Sequence, residues 1–151
     1  MRLTACGVGA VLCLALFVPT LLAAETGAAG MVKSTKGAVS IQRAGQTLQA
    51  QAGSPVLVAD VIVTGADSAV GITLQDGTLL SAGPQSTLAI NRFVFDSTTS
   101  QGELDSSLKR GTLAVVSGKL SKASPQAVTY RTPTAILGVR GTEFVIQAKP
   151  Q

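Results

Sequence analysis

From Val39 onward, apolar residues alternate with small or polar ones at a period of two. Val39 and Ile41, Val61 and Val63, Val70, Ile72 and Leu74, Leu88 and Ile90, Val128 and Tyr130, and Phe144 and Ile146 each mark one face of a β-strand. Helical periodicity is nearly absent beyond residue 24. Turn signals break the runs at short intervals: Ala44-Gly45, Gly53-Ser54-Pro55, Gly65-Ala66-Asp67, Asp76-Gly77, Gly83-Pro84, Gly102, Gly111, Gly118 and Gly141. Asp76-Gly77, between Ile72-Thr73-Leu74 and Leu79-Leu80, predicts a hairpin with a two-residue type I′ turn, because both of its central positions need positive φ. The pattern predicts an all-β single domain of about ten to twelve short strands, wrapped as a β-sandwich or β-roll. Phe93 and Phe95 share a face and are expected to form one large packing centre. The polar stretch Asp96–Ser107 is expected to be the longest loop or a loosely paired hairpin. A Gly-Thr pair recurs at Gly77-Thr78, Gly111-Thr112 and Gly141-Thr142 with unequal spacing, which suggests a repeated hairpin unit but no solenoid.

The first 24 residues read differently. Arg2 precedes an apolar stretch over Val8–Leu22, and the small pair Ala23-Ala24 follows. This is the pattern of a secretory signal peptide, residues 1–24, cleaved at Ala24/Glu25. An uncleaved membrane anchor is the alternative, since Ala5–Ala24 approaches the ~20 apolar residues of a spanning helix. Pro19 breaks the helix just before the small residues and favours cleavage. Cys6 precedes the apolar stretch, so it does not form a lipoprotein box. Cys6 and Cys13 both leave with the signal, and the remaining chain has no thiol for disulfides, metals or nucleophilic attack. Residues 25–30 are then a flexible lead-in and residues 31–149 the all-β domain, with the periplasm as destination.

Composition removes several function classes. With no histidine and no retained cysteine, a metal site would need carboxylates alone, and Asp60, Asp67, Asp76 and Asp96 have no ligand spacing. Each reads as a turn-former rather than a catalyst. Ser117, Lys119, Ser121 and Lys122 resemble a Ser–Lys pair only in composition and read as an ordinary turn, with no oxyanion-hole signature. No catalytic residue, metal or cofactor is expected. Without Arg2, eleven Lys and Arg face eight Asp and Glu, a net +3. These cations are scattered and not interleaved with aromatics, so nucleic acid is not an expected partner.

One segment carries the clearest signature. Arg131-Thr132-Pro133-Thr134-Ala135-Ile136-Leu137-Gly138-Val139-Arg140-Gly141-Thr142-Glu143-Phe144 resembles the closing motif of the FecR domain, an all-β periplasmic module of siderophore-uptake regulators. Val61–Val70, Leu74–Thr78 and Pro84–Leu88 resemble the first half of that family, and Leu108–Leu113 its central strand. The resemblance covers most of residues 33–148. It implies a protein-interaction module, here read as free-standing behind its signal peptide, working in envelope signalling or assembly with a separate receptor, surface protein or sensor.

Arg140, Gly141 and Thr142 form the candidate binding site. Arginine can hold a carboxylate in two hydrogen bonds, and backbone N–H groups around Gly141 can assist. The competing reading is that Arg140 pairs with Glu143 or loop carbonyls and only braces the turn. Thr132-Pro133 reads as the start of a strand. The alternative function is binding of envelope glycan, peptidoglycan or polysaccharide. Sugar recognition usually needs exposed aromatic platforms, and one tyrosine and three phenylalanines beyond residue 24 leave little for one.

Overall fold

The computed structural model describes residues 27–150. The predicted signal peptide, its cleavage point and Cys6 and Cys13 lie outside the described residues. Twelve strands follow in chain order: β1 (Ala28–Lys36), β2 (Val39–Arg43), β3 (Gln46–Gln49), β4 (Pro55–Leu57), β5 (Val61–Thr64), β6 (Ala69–Leu74), β7 (Leu79–Ala82), β8 (Thr87–Asp96), β9 (Gln101–Val116), β10 (Val128–Arg131), β11 (Ile136–Gly138) and β12 (Glu143–Ala148). A one-turn helix, α1 (Lys119–Ala123), and a 3-10 turn at Pro125–Ala127 link β9 to β10. The all-β prediction and its strand number hold.

The sheet is continuous and curled, in the order β3-β2-β5-β8-β9-β7-β6-β1-β4, with β12 and β10 also joined to β9 and β11 to β10. Long β9 is the hub. Its first half pairs with β8 and, in parallel, with β10; its second half lies between β7 and β12. The halves meet near Gly111, whose φ of +93° permits a bend that other residues resist. A Cβ at Gly111 would overlap Ser86, whose hydroxyl accepts the Thr112 N–H at 3.0 Å. Only glycine allows this bend with Ser86 packed behind it. Gly111-Thr112 therefore lies within a strand, Gly77-Thr78 at a turn and Gly141-Thr142 before β12, so the Gly-Thr pairs do not mark one repeated hairpin.

Inward positions build one aliphatic core from the two arms of the curl, with Ile62, Ile72, Leu80, Leu88, Leu113 and Leu120 all at most 1% exposed. On β5 the core-facing residues are Ile62 and Thr64, whereas Val61 and Val63 are only half-buried. A run of β-branched residues does not reveal its inner face. Pairing does, because Ile62 stands opposite Ile41 on one side and Leu88 on the other. Phe93 is buried, but Phe95 only flanks the core; the aromatic contact is instead Tyr130 against Phe144, edge-to-face at 5.3 Å.

Two local expectations change, and a third is decided between its alternatives. Strand β1 opens at Ala28, inside the segment read as lead-in, and Ala29 is completely buried. Its small residues let it lie against β6, since a Cβ at Gly30 would overlap the Thr73 carbonyl. Of the two readings of Asp96–Ser107 the hairpin holds: β8 and β9 stay paired as far as Asp96 and Gln101, leaving a tip of Ser97–Ser100. The Asp76-Gly77 hairpin forms, but only Gly77 has positive φ (+83°), and Leu74 N–H reaches the Thr78 carbonyl at 2.9 Å. A three-residue loop replaces the expected type I′ turn.

Candidate functional site

The closing segment folds as a hairpin and a returning edge strand. Thr132-Pro133-Thr134-Ala135 is the turn between β10 and β11, not the start of a strand: Thr132 N–H donates to the Ala135 carbonyl at 2.8 Å, and Ala135 N–H donates to Thr132 Oγ1 at 3.1 Å. Pro133 occupies the position of a tight turn where a fixed φ is favourable. The chain then leaves β11 through Val139–Thr142 and returns as β12 alongside β9.

A groove of about 520 Å³ runs between β11 and β12. Buried Val139 and Ile146 and half-buried Leu137 and Phe144 give it an apolar lining, and Thr132 and Arg140 contribute polar groups. Arg140 also borders a second hollow of about 380 Å³ beside Pro125 and Gln126. Arg140, Gly141 and Thr142 are all exposed, and among the described residues Arg140 makes no ion pair. Three strand arginines do: Arg43 pairs with Asp60, Arg92 with Glu103 and Arg131 with Asp105, while Arg110 on β9, like Arg140, has no ion pair among the described residues. Gly141 has a φ of +153°, outside the range of ordinary side chains, and nothing would contact a Cβ there. The bend that presents Arg140 thus depends on backbone conformation and not on close packing.

Edge geometry adds residues that motif reading did not single out. The Ser117 N–H donates to the Thr142 carbonyl at 2.8 Å. In an antiparallel ladder, hydrogen-bonded and non-bonded pairs alternate, so Phe144, Ile146 and Ala148 turn their backbone groups toward β9. Glu143, Val145 and Gln147 turn theirs outward, along an edge with no strand neighbour among the described residues. Val145 is also 65% exposed and, on β11, Ile136 is 67% exposed. The alternation of Glu143, Val145 and Gln147 with Phe144, Ile146 and Ala148 was visible in the sequence; that β12 is an edge was not.

The other candidates have structural surroundings. Asp60 is held by Arg43, buried Asp76 serves the start of α1, and Asp67 lies in a turn with φ of +54°. Asp96 accepts the Thr98 and Thr99 N–H groups, which hold its carboxyl below the ordinary range. Ser117 and Ser121 are buried near α1 and make no bond to Lys119 or Lys122 among the described residues. No three of His, Cys, Asp and Glu come together there to hold a metal, and no described helix is long and apolar enough to cross a membrane.

Residues 60–151 match the family model described as FecR protein. The chain belongs to the FecR family. Among curated proteins and among solved structures, none matches. The FecR match begins at Asp60, so β1–β4 lie outside it although they complete the same sheet. FecR proteins are regulatory, non-catalytic and envelope-associated, and the family points to a signalling-related interaction module.

Tyr130, the single tyrosine, lies beneath this region beside Phe144. Burial, together with the charge of Asp76, pushes its hydroxyl well above the ordinary value. A raised folded value favours the neutral phenol, so its contribution to stability is complete below the ordinary value near ~10 and is lost as pH rises through the folded one. Alkaline titration is expected to show tyrosinate absorbance only together with loss of the folded circular-dichroism signal. Ionisation near ~10 with the fold intact would mean that Tyr130 is open to solvent.

Proposed function

We propose that this FecR-family chain is an exported, non-catalytic interaction module that binds a separate envelope protein through the groove between β11 and β12. In this reading residues 1–24 are a cleaved signal, the domain runs to about residue 149, and the periplasm is where it works. The role is in signalling or assembly with a receptor, surface protein or sensor.

The observation that carries the reading is Arg140, exposed and without an ion-pair partner among the described residues, at a groove beside an open strand edge. An extended partner segment can add to β12 through the outward backbone groups of Glu143, Val145 and Gln147. Its apolar side chains would cover Leu137 and Phe144, and a carboxylate would engage Arg140 in two hydrogen bonds. Glycan binding gains no support from the aromatics, since Tyr130 and Phe93 are buried and Phe95 and Phe144 pack against the core.

The test is affinity capture from crosslinked envelope extract, with Arg140→Ala and Val145→Pro in parallel. Proline at 145 removes an outward N–H and no bond to β9, a substitution that edge strands tolerate. Both variants are expected to keep the fold and to weaken capture of one specific protein by roughly tenfold or more, the loss of about 1.4 kcal/mol that marks an important contact. Capture untouched by either variant would move the site elsewhere. Pelleting with purified peptidoglycan, and no protein captured, would replace this reading with the glycan one.

A further inference from the structure

A second surface lies on the outer side of the sheet, across β1, β6, β7, β9 and β12. Register places its residues in rows. Met31 stands opposite Thr73, Thr73 opposite Leu79, Leu79 opposite Val116, and Val116 opposite Glu143. A second row runs Ser34, Gly71, Ser81, Ala114 and Val145. A third has Lys36 opposite Ala69 at one end and Thr112 opposite Gln147 at the other.

This face is neither core nor an ordinary solvated surface. Residues between these positions, such as Ile72, Leu80 and Val115, point into the core. Met31 is 55%, Val116 37% and Val145 65% exposed, and between them stand glycine, alanine, serine and threonine. A solvated face of an antiparallel sheet carries polar residues at its outward positions, and here those in the middle of the rows are small. Among these rows charge occurs at two diagonal corners, Lys36 and Glu143, opposite in sign; Lys33, exposed in the bulge of β1 between the first two rows, adds a second positive charge on the Lys36 side.

We infer that this face is a homodimer interface, with a second copy of the chain as its occupant. A two-fold axis in the plane of the face, perpendicular to the Lys36–Glu143 diagonal, sets each Lys36 over its partner's Glu143. That self-complementarity is what an isologous contact requires. The small central residues let two sheets approach face to face at about 10 Å, and the rotation makes the strands of the two copies cross. Five strands at about 4.8 Å spacing and three rows give on the order of 500 Å² per copy, below the standard interface size. The dimer is therefore reversible and concentration-dependent. Because β12 contributes to both this face and the groove, occupancy of one surface bears directly on the other.

Sedimentation velocity over a concentration series of the purified protein tests this, with Lys36→Glu, Glu143→Lys, the double exchange and Met31→Glu. The mass is expected to rise from one copy to two. Each single charge reversal places like charges at both corners and is expected to weaken association about tenfold, while the double exchange restores it. Met31→Glu, far from the groove, is expected to abolish it. Lys36 and Met31 are exposed, so the fold should survive these changes, with circular dichroism as the check. A one-copy mass at every concentration, assemblies larger than two copies, or a double exchange no better than the singles would overturn the inference. Arg140→Ala is expected to leave the dimer unchanged, so failure of the groove reading and failure of this one are distinguishable.

Discussion

Replacing Asp76 with alanine is expected to lower the stability of the fold by about 3 kcal/mol. Asp76 is 1% exposed and accepts three hydrogen bonds: from the Thr78 N–H at 3.1 Å, the Thr78 hydroxyl at 2.7 Å and the Leu120 N–H at 3.4 Å. Thr78 Oγ1 in turn accepts the Gly118 N–H at 3.1 Å, and the Asp76 carbonyl accepts the Lys119 N–H at 2.8 Å. Helix α1 has no side-chain cap of its own. The β6–β7 turn serves its first N–H groups, the Asp76 carbonyl that of Lys119 and the Asp76 carboxylate that of Leu120, and so fixes where the chain goes after β9. Alanine strands the Thr78 and Leu120 donors, each at a cost of about 1–3 kcal/mol that does not add fully, while the Lys119 N–H keeps its backbone acceptor. Asparagine keeps one acceptor and is expected to lose less. Urea unfolding measures both variants: the midpoint should fall with the slope unchanged. A loss below about 0.5 kcal/mol for alanine would show that water replaces the carboxylate and that the turn is not what holds α1.

The second large effect is expected at the Arg43–Asp60 pair. The Arg43 guanidinium donates from Nε to Asp60 Oδ1 at 2.8 Å and from Nη2 to Oδ2 at 2.6 Å, with a further bond from Nη2 to the Pro55 carbonyl. Asp60 Oδ2 also accepts the Leu57 N–H at 2.8 Å. The cluster ties the end of β2 to the connection between β4 and β5. Its two members are not equivalent, since the Arg43 side chain is 28% exposed and that of Asp60 1%. Asp60→Ala leaves a guanidinium that still reaches water and is expected to cost about 3 kcal/mol. Arg43→Met leaves a buried carboxylate without its counter-charge and is expected to cost somewhat more, about 4 kcal/mol. The double variant Arg43→Met with Asp60→Leu should recover a large part of the loss, because an apolar pair removes the desolvation penalty along with the attraction. A double variant whose losses simply add would mean that the two residues act independently.

Legibility of the fold followed the range of the interaction that decides each part. Val70, Ile72 and Leu74 show their inner face by alternation alone, and Asp76-Gly77 announces a hairpin through local backbone preference. Val61-Ile62-Val63-Thr64 does not, because four β-branched residues fit either face and only Ile41 and Leu88 on neighbouring strands select Ile62. Ser97-Thr98-Thr99-Ser100 looks like part of a long loop because polar residues carry no periodic signal, yet β8–β9 pairing persists to the tip. At the candidate site, Arg140-Gly141-Thr142 stood out as a motif. The groove, the missing ion-pair partner and the outward backbone of Val145 depend on where β11 and β12 come to lie, and that is settled by β9 and β10, far away in the chain.

By itself, the sequence determined an all-β domain, its FecR-family character, the absence of histidine, and the position of an Arg-Gly-Thr bend before the last strand. These follow from composition, alternation and local turn chemistry, each of which acts within a few residues. The tertiary structure alone decided that β9 is a hub with four neighbours, that Asp60 and Asp76 are internal ties, and that β12, an edge with no strand neighbour among the described residues, carries one side of a groove and of a face with small central residues. Strand order and register arise from pairings between residues tens of positions apart, and a pattern of period two is the same for a central strand and an edge.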